Sequence, residues 1–262
     1  MNRSVQEEPL ATHSPVNKVP AVTLGFWIVK VLATTLGETG GDTLSMTFDA
    51  GYLVSSAVFL AILAALLFLQ IRAPRFHPFL YWATIVASTT AGTTLADFAT
   101  RSLGIGYAGG SLLLLLLVML SLAVWYRAEG SVSVLAIATP QVEAYYWVTI
   151  TASQTLGTAL GDWIADDTGL GYDGGALLFG LLLLLVAALY FWTRLSRVAL
   201  FWLAFILTRP LGATVGDFLD KPVADGGLAL SRPLASAVLA ALMVGGILML
   251  RRRGVDASGK PG

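Results

Sequence analysis

Four aspartates occupy equivalent positions, each fifteen residues after a tryptophan, five residues after a glycine and one after a glycine or alanine. The pairs are Trp27 and Asp42, Trp82 and Asp97, Trp147 and Asp162, and Trp202 and Asp217. This register indicates one unit copied four times. Carboxylate oxygens can bind a hard cation or exchange a proton, so the repeated position suggests cation or proton chemistry.

The residues four and eight positions before each aspartate lie near its face of a helix. The candidate ion- or proton-binding residues are therefore Glu38, Asp42, Asp97, Asp162 and Asp217. Glu38 and Asp42 are one helical turn apart and are the expected ligands if a metal binds directly. The supporting polar or gating candidates are Lys30, Thr34, Thr93, Thr158, Arg209 and Pro210.

Two interpretations of the aspartates are open. They could accept hydrogen bonds from neighbouring helices and hold the repeats together, which a position shared by all repeats favours. They could instead converge on a path for cations or protons, which the differences between the repeats favour. Only the first repeat has a second acid, Glu38, and only the fourth has Arg209, beside Pro210. Pro210 should kink the seventh helix.

The composition predicts that helices in a membrane position these residues. Of 262 residues, 56% are apolar and 12% charged, against about 25% charged in soluble domains. Apolar runs of about twenty residues can cross the hydrocarbon core, and in lipid such runs form helices. We expect eight runs, at about 22–42, 52–71, 79–97, 107–126, 144–163, 172–193, 199–218 and 230–250.

The predicted fold is therefore an all-α polytopic membrane protein with eight transmembrane helices. Four parallel two-helix repeats, about 21–72, 76–127, 141–193 and 196–250, should be related by pseudo-symmetry about the membrane normal. The glycines predict that the odd-numbered helices pack tightly inside, with the leucine-rich even helices facing lipid. The four tryptophans should anchor the inner membrane boundary. Residues 1–20 are predicted to be a disordered tail, and residues 251–262 a second tail.

The basic residues predict the orientation. Eleven of the sixteen lysines and arginines lie on one side of the predicted spans, which the positive-inside rule places in the cytoplasm with both termini. Eleven of the sixteen acids lie in the outer half or in outer loops, where they would attract cations.

Other residue types exclude several classes of site. The chain has no cysteine, so disulfides and thiolate metal sites are excluded. Its two histidines, His13 and His77, lie outside the predicted spans. No nucleophile–base pair and no cofactor motif is evident, so we expect neither an enzyme nor a bound cofactor, and no nucleic-acid partner.

Five segments resemble the bacterial membrane proteins of domain of unknown function 347, which have four tandem two-helix repeats. They are residues 18–27 (KVPAVTLGFW), 34–42 (TTLGETGGD), 91–97 (AGTTLAD), 157–162 (GTALGD) and 209–217 (RPLGATVGD). The resemblance covers about residues 18–250 and implies the repeat organisation and the bacterial inner membrane, but no activity. Residues 38–43 also resemble the acid-glycine-aspartate signature of calcium and manganese exchangers, although an extra glycine interrupts the pattern.

The sequence thus predicts an integral membrane transporter of a small cation. A divalent metal such as Mn²⁺ is the expected substrate because all candidate ligands are oxygens. Whether this metal is exchanged for protons is left open by the sequence. One alternative is a cation channel with a ring of aspartates. Another is a membrane scaffold or sensor whose aspartates are structural. The lipid bilayer is the expected partner, and the sequence permits a homodimer.

Overall fold

The computed structural model describes residues 17–137 and 139–258, and this part of the chain contains helices and no β-strand. Five of the eight long helices, α2, α4, α6, α7 and α8, are long and apolar enough to cross a membrane. The helices are α1 (Leu24–Asp42), α2 (Gly51–Arg72), α3 (Pro78–Asp97), α4 (Tyr107–Glu129), α5 (Pro140–Asp162), α6 (Gly171–Trp192), α7 (Arg197–Asp220) and α8 (Arg232–Ser258).

The four odd-numbered helices form a closed inner ring. Helix α1 packs against α3 and α7, and α5 packs against the same two helices from the other side. Each even-numbered helix lies outside the ring on the odd helix of the next repeat: α2 on α3, α4 on α5, α6 on α7 and α8 on α1. The predicted inner and outer layers are therefore present.

The outer helices expose most of their apolar surface. In α4, for example, Leu112, Leu116 and Leu120 are about three-fifths exposed. An apolar surface of this extent is unfavourable in water and suits a lipid environment. The odd helices instead bury threonines, glutamine and charged residues inside the ring.

The repeated glycines explain how closely the inner helices approach. Four glycines stand five residues before an aspartate. A methyl group added at any of them would overlap the next odd helix of the ring. On this neighbouring helix, the overlapping atoms belong to the residue eight positions before its aspartate or to the residue next to it. Gly37 faces Thr89, Gly92 faces Gln154 and Thr155, Gly157 faces Arg209 and Pro210, and Gly212 faces Thr34.

The inner helices differ at the end that carries the aspartate. Helices α1, α3 and α5 end at the aspartate and continue as π-helical turns over Thr43–Thr47, Phe98–Ser102 and Trp163–Asp167. Helix α7 instead remains α-helical through Asp217 to Asp220, with Pro210 in its interior. Single π-helical turns are common at functional sites.

The predicted tryptophan anchors are wrong for three of the four residues. Trp82, Trp147 and Trp202 are almost fully buried and pack with Tyr81 and Tyr146. The Nε1 of Trp202 donates to the Val132 carbonyl oxygen at 2.9 Å. The large indole contact area is used between helices rather than at a membrane boundary. Trp27 is only partly buried.

Most of the predicted N-terminal tail, residues 1–16, lies outside the described residues, whereas of the predicted C-terminal tail only residues 259–262 do. Of the N-terminal segment, residues 17–20 are described, and Lys18 is buried there with its Nζ 2.8 Å from Glu143 Oε2. At the other end, α8 continues to Ser258, beyond the predicted limit of the last apolar run.

Candidate cation and proton site

The four repeated aspartates are all buried and divide into two pairs, each joined by one basic side chain. In the first pair, Arg101 lies between α3 and α5. Its Nε is 3.0 Å from Asp97 Oδ1, and its Nη2 is 3.3 Å from Asp162 Oδ2. Asp166, on the π-helical turn after α5, accepts a hydrogen bond from the Tyr107 hydroxyl and lies 3.9 Å from Arg101 Nη2.

In the second pair, Lys221 joins the ends of α1 and α7. Its Nζ is 2.7 Å from Asp42 Oδ2 and 2.9 Å from Asp217 Oδ1. Arg232, at the start of α8, approaches the same place, 3.4 Å from Asp220 Oδ1 and 3.9 Å from Asp42 Oδ2. The carboxylates of the repeats are therefore bound in adjacent pairs rather than as an equal ring of four.

Sequence reasoning assigned no role to Arg101 or Lys221, although a signal was present. Each stands four residues after a repeated aspartate, the spacing at which side chains meet on a helix. Burial opposes the charge of both residues, but the neighbouring aspartates outweigh it and hold both pKa values above the ordinary values. Both side chains therefore stay charged as long as the carboxylates do.

Glu38, Asp42 and Asp217 form a compact group of carboxylates. Each places one oxygen within 4.8 Å of the other two, and all three residues are buried. The Oδ1 atom of Asp42 has no hydrogen-bond partner among the described residues. Convergent carboxylate oxygens of this kind suit a hard cation such as Mg²⁺, Ca²⁺ or Mn²⁺. Asp97 and Asp162 are outside this group.

A second network lies one helical turn deeper and connects all four inner helices. The Nη2 of Arg209 on α7 lies within hydrogen-bond distance of three oxygens: Glu38 Oε2 at 2.7 Å, Thr93 Oγ1 at 2.6 Å and Thr158 Oγ1 at 2.5 Å. These acceptors lie on α1, α3 and α5, and all four residues are shielded from solvent. Among the candidate acids, Arg209 therefore pairs with Glu38.

The remaining supporting candidates occupy different surroundings. The Thr34 hydroxyl lies 3.1 Å from the Thr208 carbonyl oxygen and joins α1 to α7. Pro210 packs against Gly157 at the contact between α5 and α7. Lys30 is fully buried and contacts no carboxylate among the described residues: its Nζ lies 3.4 Å from Gln154 Oε1 and 4.2 Å from the centre of the Phe205 ring.

At the level of Lys30 and beyond it, on the side away from the aspartates, the ring is filled by apolar and aromatic side chains. Ile85, Ile150 and Phe205 are fully buried, as are Tyr81 and Tyr146, whose hydroxyls are 2.6 Å apart. The polar half of the ring is therefore closed at its inner end in this conformation.

Replacing Arg101 with methionine should lower the free energy of unfolding by about 1–3 kcal/mol. The change would leave Asp97 and Asp162 buried without their shared partner, whereas Arg101→Lys should retain part of the stability. Solvent screening limits the loss, because the Arg101 side chain is 31% exposed. Thermal unfolding of both variants in detergent would measure the effect, and an Arg101→Met protein as stable as the parent would show that this contact does not hold α3 to α5.

The repeat pattern seen in the ring is also found by comparison with known families. The family described as a repeat of unknown function, DUF347, matches the chain four times, over residues 25–76, 80–131, 145–196 and 200–255. No curated protein and no solved structure shows significant similarity to the chain. The four matches cover most of the sequence and each contains one of the repeated aspartates, so the chain belongs to the DUF347 repeat family.

Proposed function

We propose that all eight helices span the bacterial inner membrane, with pseudo-fourfold symmetry about the membrane normal and both termini in the cytoplasm. Helices α1, α3 and α5 are more polar than an isolated span, but each lies in a ring with α7, and the apolar outer helices pack against that ring. Ionisable residues inside a membrane are tolerated when they face such an interior, where they mark functional sites.

Within this arrangement the protein transports a small cation, with a divalent ion such as Mn²⁺ as the expected substrate. The observation that carries the proposal is the convergence of Glu38, Asp42 and Asp217 oxygens within 4.8 Å of one another. Thr93, hydrogen-bonded through Arg209 to the same network, could contribute a further oxygen.

The Lys221 ammonium group competes with a bound cation for this site. It already contacts Asp42 and Asp217, two of the three proposed ligands. A divalent cation and the Lys221 ammonium cannot both occupy the space between these carboxylates, because like charges at that distance repel strongly. Cation entry would therefore displace Lys221, and release of the cation would return it. Proton exchange at Glu38 is a further feature of the proposal, because this acid belongs to the same group of carboxylates.

A membrane scaffold with structural aspartates is the second candidate. It is favoured by the way in which Arg101 and Lys221 each join two inner helices, and by the contacts of Arg209 to the other three. A cation channel is the third, and it would require a path to open through the filled inner end around Tyr81 and Tyr146.

The test is thermal stability of the purified protein with Mn²⁺, Ca²⁺, Mg²⁺ or Zn²⁺ at constant ionic strength. A cation that binds only the folded protein should add about 2.7 kcal/mol at a hundred times its dissociation constant. Asp42→Asn should abolish this rise. Asp97→Asn is the matched control, because it changes an equivalent aspartate outside the proposed site and should retain the rise.

Lys221→Met separates the two leading candidates. If Lys221 competes with the cation, its removal should lower the cation concentration needed for stabilisation. A scaffold predicts lower stability for Lys221→Met and no response to any cation in either protein. Flux into vesicles that is insensitive to an opposing proton gradient would favour the channel.

A further inference from the structure

The middle of the inner ring contains more buried basic groups than acids in contact with them. Lys30 and Arg209 are both fully buried there, and Glu38 is the one acid that contacts either of them in residues 17–137 and 139–258. Burying an ion without a partner is unfavourable because the low-polarity interior replaces its water shell poorly. We propose that this part of the ring binds a small, singly charged anion between Lys30, Gln154 and Arg209.

Lys30 provides the first observation. In the described part of the chain, no carboxylate lies within ion-pair distance of its Nζ, and its polar contact is the Gln154 Oε1 at 3.4 Å. The face of the Phe205 ring, 4.2 Å away, supplies only a weak counterbalance.

The donors around Lys30 provide a second, independent observation. Arg209 directs one nitrogen, Nη2, at all three of its acceptors, whereas its Nε and Nη1 have no partner among the described residues. The Nε2 of Gln154 is likewise buried without a partner. These donors match an acceptor that carries negative charge, and buried donors rarely remain unpaired.

The surroundings restrict the class of ligand. One negative charge would neutralise the excess of Lys30 and Arg209 over Glu38, whereas a doubly charged sulfate or phosphate would reverse it. Ile85, Ile150 and Phe205 fill the layer of Lys30 and favour a small ligand. Halides, nitrate and the carboxylate group of a small organic acid all meet these conditions.

This anion site is adjacent to the proposed cation site, since Arg209 contacts Glu38, but its Lys30 end is remote from Asp42. Lys30 precedes Asp42 by twelve residues on α1, which corresponds to about 18 Å along a helix. The inference therefore does not rest on cation transport, and the two proposals fail in different experiments.

The test measures the unfolding temperature in sodium chloride, nitrate, acetate or formate, each replacing sodium sulfate at constant ionic strength and pH. We expect a concentration-dependent rise with at least one singly charged anion. A rise with chloride or nitrate alone indicates a free inorganic anion, and a rise with acetate or formate alone indicates a carboxylate. Lys30→Met should remove the anion response but retain the response to divalent cations.

Two further variants show whether a lost anion response in Lys30→Met is caused by a folding defect. Ile150→Met makes a comparable packing change in the same layer without altering charge and should keep the anion response. Gln154→Leu keeps the formal charge but removes both the unpaired amide donor and the Oε1 that faces Lys30, and should weaken the apparent anion affinity by about tenfold or more. A wild-type protein indifferent to all four anions, or an undiminished response in Lys30→Met, would overturn the proposal.

Discussion

Arg209→Met should lower the free energy of unfolding by about 3–5 kcal/mol, the effect expected when one partner of a buried ion pair is removed. Glu38 would remain buried without a cation, and the hydroxyls of Thr93 and Thr158 would lose their shared donor. Because these three residues belong to three different inner helices, the loss should affect the whole ring. Equilibrium unfolding in mixed detergent micelles would measure it.

The matched control removes both charges. Arg209→Met combined with Glu38→Gln should be clearly more stable than Arg209→Met alone, because no unpaired charge then remains between the helices. Residues in direct contact show such non-additive effects in double-mutant cycles. Additive losses in the cycle would contradict the structural role that we assign to the pair.

Gly92→Ala should also destabilise the protein, by about 1–3 kcal/mol through overpacking. The added methyl carbon would lie 2.9 Å from the backbone nitrogen of Thr155 and 3.0 Å from the backbone carbonyl carbon of Gln154. Backbone atoms cannot rotate away as a side chain can, so α3 and α5 would have to separate. Thermal unfolding would report the loss.

Gly40→Ala is the matched control for this substitution. Gly40 is also a helical glycine near a repeated aspartate, but a methyl group there would have no heavy atom within 4 Å. Since alanine is preferred over glycine inside helices, this change should be neutral or should stabilise by about 0.5–1 kcal/mol. Equal losses at the two positions would show that helix separation is not the cause.

The sequence predicted the layers of the fold well because the repeat supplied four copies of the same evidence. Gly37, Gly92, Gly157 and Gly212 indicated close helix contacts, and each lies at such a contact in the ring. Runs such as Leu112 to Leu117 indicated an outer surface, and these leucines are largely exposed. Local periodicity is sufficient for such predictions, since it records which side of a helix is apolar.

The pairing of charges could not be predicted in the same way. Arg101 binds an aspartate of its own helix and one of the next inner helix, so its partners depend on the order of helices around the ring. The position of Lys30 beside Phe205 depends on the same order. A sequence of four nearly equivalent units does not specify which units are neighbours.

The predicted anchoring role of the tryptophans was wrong for a different reason. An indole ring suits both a membrane boundary and a protein interior, because it combines a large apolar surface with one donor. The regular spacing of Trp82, Trp147 and Trp202 therefore fitted an anchoring role as well as the buried aromatic cluster in which they lie.

The packing of each even helix on the following repeat has a consequence for biogenesis. Helix α1 emerges first from the ribosome, yet its outer neighbour, α8, is made last. Its polar face, which includes Lys30 and Glu38, can pack against α7 only after that helix has been made. Until then α1 can pack on α3 but lacks two of its native neighbours, so the final step of assembly is the closure of the C-terminal repeat onto the N-terminal one.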